Sequence, residues 1–95
     1  MTEKLLDDRI VKLVKSLGGN AMKLTSLSFT GIPDRTVLLP GGNICFVEVK
    51  STGKKPSARQ ELVIGWLRGL GFKVFVVSDQ DSYDDFRQHV LRLTI

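Results

Sequence analysis

The spacing of apolar residues along the chain predicts three helices. The first is predicted from about Thr2 to Leu17, where apolar side chains recur every three or four residues until Gly18-Gly19 interrupts them. The second follows Ser57-Ala58-Arg59-Gln60, which has the form of a helix capping box, and is closed by Gly71. The third is predicted from Ser82, as its cap, to Leu93. The apolar stripe of the second helix comprises Leu62, Val63, Trp66, Leu67 and Leu70.

Four shorter apolar runs predict β-strands, at Asn20–Thr25, Thr36–Leu39, Ile44–Lys50 and Lys73–Ser78. The second and third runs are joined by Pro40-Gly41-Gly42-Asn43, a connection that suits a β-hairpin, so they should be antiparallel neighbours. A helix separates the third run from the fourth, which favours a parallel pair with a right-handed crossover. The order αβββαβα therefore predicts an α/β fold, with a mixed β-sheet flanked by helices.

Length and composition favour a single ordinary domain that spans residues 1–95. Of the 95 residues, 42% are hydrophobic and 25% are charged, and no apolar run approaches the roughly 18 residues that a membrane span needs. The N-terminus lacks the apolar core of a secretory signal, so we expect a cytoplasmic protein that binds no membrane. The single cysteine, Cys45, lies within an apolar run and is interpreted as a small core residue.

The charge distribution favours a phosphate-containing partner near the middle of the chain. The formal net charge is +4, and basic residues concentrate between positions 50 and 59. Each of these cations alone is also typical of an ordinary protein surface. The candidates for contacts to the phosphates of a nucleic acid are Lys23, Arg35, Lys54, Lys55 and Arg59.

Two short segments carry the candidate chemistry. Side chains alternate along a strand, so Glu48 and Lys50 should project from the same face, while Val47 and Val49 point to the opposite layer. Asp34 enters the preceding hairpin strand, and the antiparallel return can bring its carboxylate to the same end of the sheet. Two carboxylates and one ammonium group would then converge.

This group suits metal-assisted hydrolysis of a phosphodiester. Asp34, Glu48 and the main-chain carbonyl of Val49 offer the hard oxygen ligands that Mg²⁺ prefers, and Mn²⁺ could replace it. Lys50 is placed to orient a water molecule or to stabilise negative charge that develops on the phosphate. The alternative interpretation is a solvated charge pair, because a Glu-x-Lys sequence is common on exposed strands.

The segments Gly31-Ile32-Pro33-Asp34-Arg35 and Phe46-Val47-Glu48-Val49-Lys50 resemble the PD-(D/E)xK, or restriction-endonuclease-like, nucleases. More narrowly, the whole chain is similar to a stand-alone VRR-NUC (virus-type replication-repair nuclease) domain. The resemblance implies that Asp34 and Glu48 are metal-binding catalytic acids, that Lys50 is the catalytic lysine and that Gln60 is a further active-site residue. Gln60 is also the fourth residue of the capping box, and the two roles are compatible.

The resemblance also implies an acidic residue on the first helix near the metal. Glu3 is the preferred candidate and Asp7 the second, although acids at a helix N-terminus commonly do no more than complement the helix dipole.

The function expected from this resemblance is a Mg²⁺-dependent DNA endonuclease that acts on branched or structured DNA, such as Holliday junctions or flaps, in replication, recombination or repair. A homodimer and a phage or bacterial host are implied as well, with Trp66, Phe72 and Tyr83 as apolar residues left for a second copy to cover. One alternative is a catalytically silent nucleic-acid-binding module of the same fold. The other is a small interaction subunit that binds no nucleic acid.

Overall fold

The computed structural model describes residues 1–94 and confirms the order αβββαβα. The third helix starts earlier than predicted, and Ser82 lies inside its first turn. Asp79 occupies the capping position instead, because its Oδ1 accepts from Ser82 N (2.8 Å) and its own N donates to Ser82 Oγ (3.1 Å). The helices are α1 (Glu3–Ser16), α2 (Ala58–Gly69) and α3 (Gln80–Thr94), and the strands are β1 (Asn20–Lys23), β2 (Arg35–Leu39), β3 (Asn43–Val49) and β4 (Lys73–Val77).

The strands form one mixed sheet in the order β1-β2-β3-β4. The β1/β2 and β2/β3 pairs are antiparallel, and β3 and β4 are parallel, as predicted from the helix between them. A tight turn at Pro40–Gly42 closes the β2/β3 hairpin, and two glycines in it adopt the left-handed conformation that other residues avoid. In the β2/β3 register, Arg35 lies opposite Val47, so the residue before Arg35 enters the sheet beside Glu48.

The sheet is covered on both faces. Alternate side chains of β3 divide between the two layers: Val47 and Val49 pack with α1 and α3, whereas Phe46 packs with α2. Cys45 is fully buried in the first layer, and burial raises the pKa of its thiol to about 12, which confirms it as a core residue. No helix within residues 1–94 is long and apolar enough to cross a membrane.

Two predictions about the apolar surface are wrong. The buried face of α2 consists of Val63, Ile64 and Leu67, and three residues of the predicted stripe are mostly exposed instead: Leu62 (68%), Trp66 (55%) and Leu70 (58%). The sheet covers α2 from one side only, and these three residues lie too far around the helix to reach it. Tyr83, predicted to be uncovered, is buried beneath the Arg9 guanidinium, which stands 4.3 Å from its ring centroid.

Candidate active site

A buried ion pair lies on the face of β3 that is covered by α2. Glu48 is only 1% exposed, and Lys50 Nζ stands 3.0 Å from its Oε2. The predicted common face of these two side chains is therefore confirmed. An ionised carboxylate is rarely buried without a partner, and Lys50 supplies one from two residues along the same strand.

The N-terminus of α2 supplies a second partner to the same carboxylate. Gln60 N donates to Ser57 Oγ (3.2 Å), and Ser57 N donates to Gln60 Oε1 (2.8 Å), which completes the predicted capping box. With its oxygen fixed in this way, the Gln60 amide turns its Nε2 toward Glu48 and donates to Oε2 at 2.9 Å. Gln60 thus caps the helix and contacts the candidate catalytic acid at the same time.

The other oxygen of Glu48 is left unsatisfied. Among the described residues, Oε1 of Glu48 is buried and has no hydrogen-bond partner. Burial raises the pKa of this carboxyl, and the charge of Asp34 adds to that effect, while Lys50 opposes it. A buried acceptor without a partner lowers the stability of the fold by about 1–3 kcal/mol, because it has lost its water. A cation bound to this oxygen would offset that penalty.

Asp34 enters the end of the sheet opposite Glu48, close enough for its charge to act on that carboxyl. Its Oδ2 accepts a hydrogen bond from Val49 N at 2.7 Å, which fixes the carboxylate against the peptide after Glu48. The side chain is exposed and borders an open cavity of about 430 Å³ that Glu3, Lys23 and Val49 also line. The hairpin therefore brings Asp34 and Glu48 to one end of the sheet, as the sequence predicts.

The oxygen atoms of Asp34, Glu48 and Val49 suit a magnesium ion better than a metal whose ligands all come from the protein. Mg²⁺ is commonly held by one or two carboxylates, with water and substrate phosphate in its other positions. Asp34, the free oxygen of Glu48 and the Val49 carbonyl match that donor set. No three Asp, Glu, His or Cys side chains among residues 1–94 are grouped closely enough to hold a metal ion. Glu3 therefore borders the cavity without joining a three-acid cluster.

Lys50 keeps its proton in this setting. Burial alone would lower the pKa of its ammonium group, but the hydrogen bond and charge of Glu48 outweigh that effect, and Asp34 and Glu3 contribute in the same direction, so the pKa is raised. At neutral pH, Lys50 is therefore a cation and a hydrogen-bond donor close to the two carboxylates.

The Arg35 side chain is hydrogen-bonded within the protein, whereas a phosphate ligand would be expected to be exposed. Its Nε and Nη2 donate to the two oxygens of Asp7 at 2.6 and 2.7 Å, and its Nη1 donates to the Ala21 carbonyl at 2.7 Å. The bidentate pair ties α1 to the first residue of β2, directly after Asp34. Asp7, the second candidate for the first-helix acid, is thus committed to Arg35. Sequence reasoning missed this pair, because the partners are 28 residues apart.

The other candidate phosphate ligands differ in whether their side chains are already held by other residues. Lys23 lines the cavity beside Asp34, while Lys54 and Lys55 are exposed on the loop that leads to α2. Arg59 is held against the loop before β2, where its Nε lies 3.3 Å from two oxygens of Thr30.

The position of Arg59 against this loop explains the glycine of the Gly-x-Pro-Asp-Arg segment. Gly31 has φ +81°, and a Cβ there would stand 2.8 Å from Arg59 Cγ, so both the backbone conformation and the lack of space require glycine.

Comparisons with known proteins agree with this geometry. No family model matches the sequence. The chain is 40% identical over 79 residues to a protein named "Putative nuclease p44" from Acyrthosiphon pisum secondary endosymbiont phage 1, a match that covers 83% of this chain and 85% of the relative. A solved structure described as a VRR_NUC domain superposes with a TM-score of 0.84 at 33% identity and covers 94% of this chain and 98% of its own. The chain belongs to the VRR-NUC nuclease family.

Proposed function

We propose that the protein is a Mg²⁺-dependent DNA endonuclease that hydrolyses phosphodiester bonds in branched or structured DNA during replication, recombination or repair. The observation that carries the proposal is the environment of Glu48. Lys50 and Gln60 hold one buried oxygen of this carboxylate, and the other oxygen has no hydrogen-bond partner among the described residues. A second carboxylate, that of Asp34, lies close to Glu48. A structural ion pair would need neither the unsatisfied oxygen nor the second carboxylate.

Each residue of the site has a chemical task in this proposal. Asp34, Glu48 Oε1 and the Val49 carbonyl would hold the metal, which when bound polarises the phosphate and acidifies a coordinated water. Lys50 orients the attacking water and stabilises the charge that develops as the new P–O bond forms and the ester P–O bond breaks. Gln60 holds Glu48 in place, so that the carboxylate presents Oε1 to the metal.

The substrate and assembly are part of the same proposal. Lys23 on the cavity wall and the exposed Lys54 and Lys55 in the loop before α2 provide cations for a DNA backbone. Recognition of a branch by its shape needs fewer contacts than base reading, which suits one small sheet with three helices. Two copies would place two sites on a junction, and the reduced thiol of Cys45 agrees with action in the cytoplasm of a bacterium or phage-infected cell.

A cleavage assay with Lys50→Ala tests the proposal directly. The parent should cut a four-way junction or a flap faster than matched linear duplex, and only when Mg²⁺ is present. Lys50→Ala should fold and bind DNA but lose at least about 100-fold in cleavage rate, because it removes one donor to the developing charge. Lys15→Ala, which removes an exposed lysine at the far end of α1, is the matched control and should cut at the parent rate.

Three results would contradict the proposal. Parent-like cleavage by Lys50→Ala would remove the role of the lysine. Equal cleavage with and without Mg²⁺ would remove the metal. Salt-dependent DNA binding with no cleavage under any condition would leave the silent binding module instead.

A further inference from the structure

The candidate metal ligand Asp34 lies just outside the paired part of β2. Arg35, the first residue of that strand, pairs with Lys23 on one side and with Val47 on the other. Asp34 keeps a backbone hydrogen bond from Leu24 N to its carbonyl (2.9 Å) but precedes the strand. Strand ends open more easily than strand centres, because fewer hydrogen bonds hold them. A carboxylate that must stay in one place at this point needs support from outside the sheet.

The Arg35 side chain provides such support through α1. All three of its nitrogens donate, two to the oxygens of Asp7 (2.6 and 2.7 Å) and one to the Ala21 carbonyl (2.7 Å). The side chains of Arg35 and Asp7 are only 12% and 28% exposed, so solvent screens the pair weakly. A planar guanidinium bound at three nitrogens is held in one orientation, which fixes the chain at the residue next to Asp34.

The ion pair also forms part of the wall of the active-site cavity. Asp7 and Arg35 line the same cavity of about 430 Å³ as Asp34. The hydrogen bond to Asp7 raises the pKa of Arg35, and although burial opposes this effect, the charge of Asp34 adds to it. A displacement of Arg35 would therefore change the position of Asp34 through the chain and its electrostatic surroundings through space.

The contacts of Asp7 are those of a supporting group and not of a metal ligand. Both of its oxygens accept hydrogen bonds from Arg35. Within the described chain, Asp7 does not group with Asp34 and Glu48 into a cluster of three acids that could hold a metal ion. Groups that orient a metal ligand from behind commonly change metal affinity by about 10- to 100-fold when they are removed.

From these observations we propose that Arg35, held by Asp7, is a positioning residue that fixes Asp34 for the metal. This inference rests on the Mg²⁺ site of the proposed function and adds α1 to the elements that build that site. Glu3 lies four residues before Asp7 on α1, so the same anchor holds Glu3 at the cavity. There the charge of Glu3 acts on Lys50.

Calorimetric titration of the full chain with Mg²⁺ alone, well below the Tm, tests this role without DNA. Asp7→Asn and Arg35→Lys should each weaken Mg²⁺ binding by at least about tenfold. Lysine keeps the positive charge but cannot bind three acceptors in a plane, so a loss in Arg35→Lys reports geometry and not charge. Asp8→Asn is the matched control, because it removes the next carboxylate on α1, whose partner Lys4 is exposed. This control should bind Mg²⁺ like the parent.

Two further measurements separate positioning from damage to the fold. The double variant Asp7→Asn/Arg35→Lys should lose no more Mg²⁺ affinity than the weaker single variant, because both changes remove one shared contact. Raising the Mg²⁺ concentration should bring the cleavage rate of each single variant back toward that of the parent, with an unchanged KM for DNA. Damage to the fold would instead lower the number of binding sites per chain and leave the affinity of the remaining sites unchanged, and circular dichroism would show it.

Four outcomes are distinguishable. Parent affinity in both single variants would make the ion pair a structural contact only and overturn the positioning role. Weaker binding in Asp7→Asn, with parent or tighter binding in Arg35→Lys, would make Asp7 itself a ligand and also overturn it. Weaker binding in both variants of a parent that never cuts DNA would support the positioning role and overturn the proposed endonuclease. A parent that binds no Mg²⁺ would overturn the metal site and the positioning role together.

Discussion

The two oxygens of Glu48 have opposite surroundings, and this asymmetry defines the site at the scale of single residues. Oε2 receives hydrogen bonds from Gln60 and Lys50, while Oε1 is buried without a partner among the described residues. A carboxylate in this state is already desolvated, so a hard cation would bind it without first removing water. In the proposed function, this carboxylate would thus be in place for the metal before DNA binds.

Magnesium should therefore stabilise the fold, and this effect should depend on the two acids. Ligand at about 100 times its Kd adds roughly 2.7 kcal/mol to the free energy of unfolding. We expect Mg²⁺ to raise the Tm of the parent and of Asp85→Asn, an exposed α3 variant, but not of Asp34→Asn or Glu48→Gln. Differential scanning fluorimetry across a Mg²⁺ titration measures this without reference to activity. An undiminished shift in both site variants would exclude the assigned ligands.

His89 provides a pH-dependent contribution to stability far from the site. Burial lowers the pKa of this imidazole from the ordinary value of 6.5, and the neighbouring Arg92 and Lys73 lower it further, while its ring lies 5.1 Å from Phe75. The folded state therefore binds fewer protons than the unfolded state, so stability is retained above pH 6.5 and falls as the pH drops below it. The free energy of unfolding, measured in urea between about pH 7.5 and about pH 5, should fall less in His89→Gln than in the parent. Parallel profiles for the two proteins would contradict the shift.

At the scale of elements, the start of α2 links helix capping to the proposed catalytic acid. Ser57 and Gln60 exchange hydrogen bonds, and this exchange determines which end of the Gln60 amide faces Glu48. The same cap thus stabilises a helix and orders an active-site contact. A residue that touches neither metal nor DNA can then influence cleavage through its neighbour.

Ser57→Ala should lower both stability and cleavage. Loss of an N-cap hydroxyl costs about 1 kcal/mol, and freeing Gln60 should reduce the cleavage rate at saturating DNA more than it raises KM. Ser82→Ala, which removes a first-turn hydroxyl that accepts from the Ser78 and Asp79 N–H groups at the start of α3, is the matched control. It should lower the unfolding free energy with unchanged cleavage, and Ser57→Thr should retain both properties. Equal activity of Ser57→Ala and Ser82→Ala per folded molecule would leave Ser57 as a cap alone.

The sequence predicts these elements well where the cause is local. The capping box at Ser57 and the common face of Glu48 and Lys50 depend on spacings of two or three residues, which are visible in the sequence itself. The buried face of α2 could not be predicted, because apolar residues nearly surround that helix and only the sheet selects Ile64 over Leu62. The Arg35 contact to Asp7 could not be predicted either, since it forms only when α1 packs against the sheet.

At the scale of the whole molecule, the surface available for assembly could not be predicted from the sequence either, because it depends on how the elements pack. The sequence indicates excess apolar residues, but it does not show which of them the fold covers. Tyr83, on α3, is buried in the core beneath α1, whereas Trp66 stays at the surface. The described chain therefore offers one apolar helix face, beside the active site, on which a second copy can pack.

Pairing should also govern how DNA binding responds to salt. Each neutralised phosphate contributes a slope of about −0.9 to the dependence of log affinity on log salt concentration, so a dimer that grips DNA with two sets of lysines should have a steeper slope than a monomer. We expect Trp66→Glu to bind a four-way junction more weakly than the parent at low salt, with roughly half the parent's slope. The difference in affinity should therefore narrow as salt rises. Fluorescence anisotropy on a labelled junction would measure both slopes, in Ca²⁺, which is expected to support binding without turnover. Ile44→Glu, at an exposed apolar position on β3, is the control. Identical slopes for the parent and Trp66→Glu would mean that one copy alone makes all the phosphate contacts.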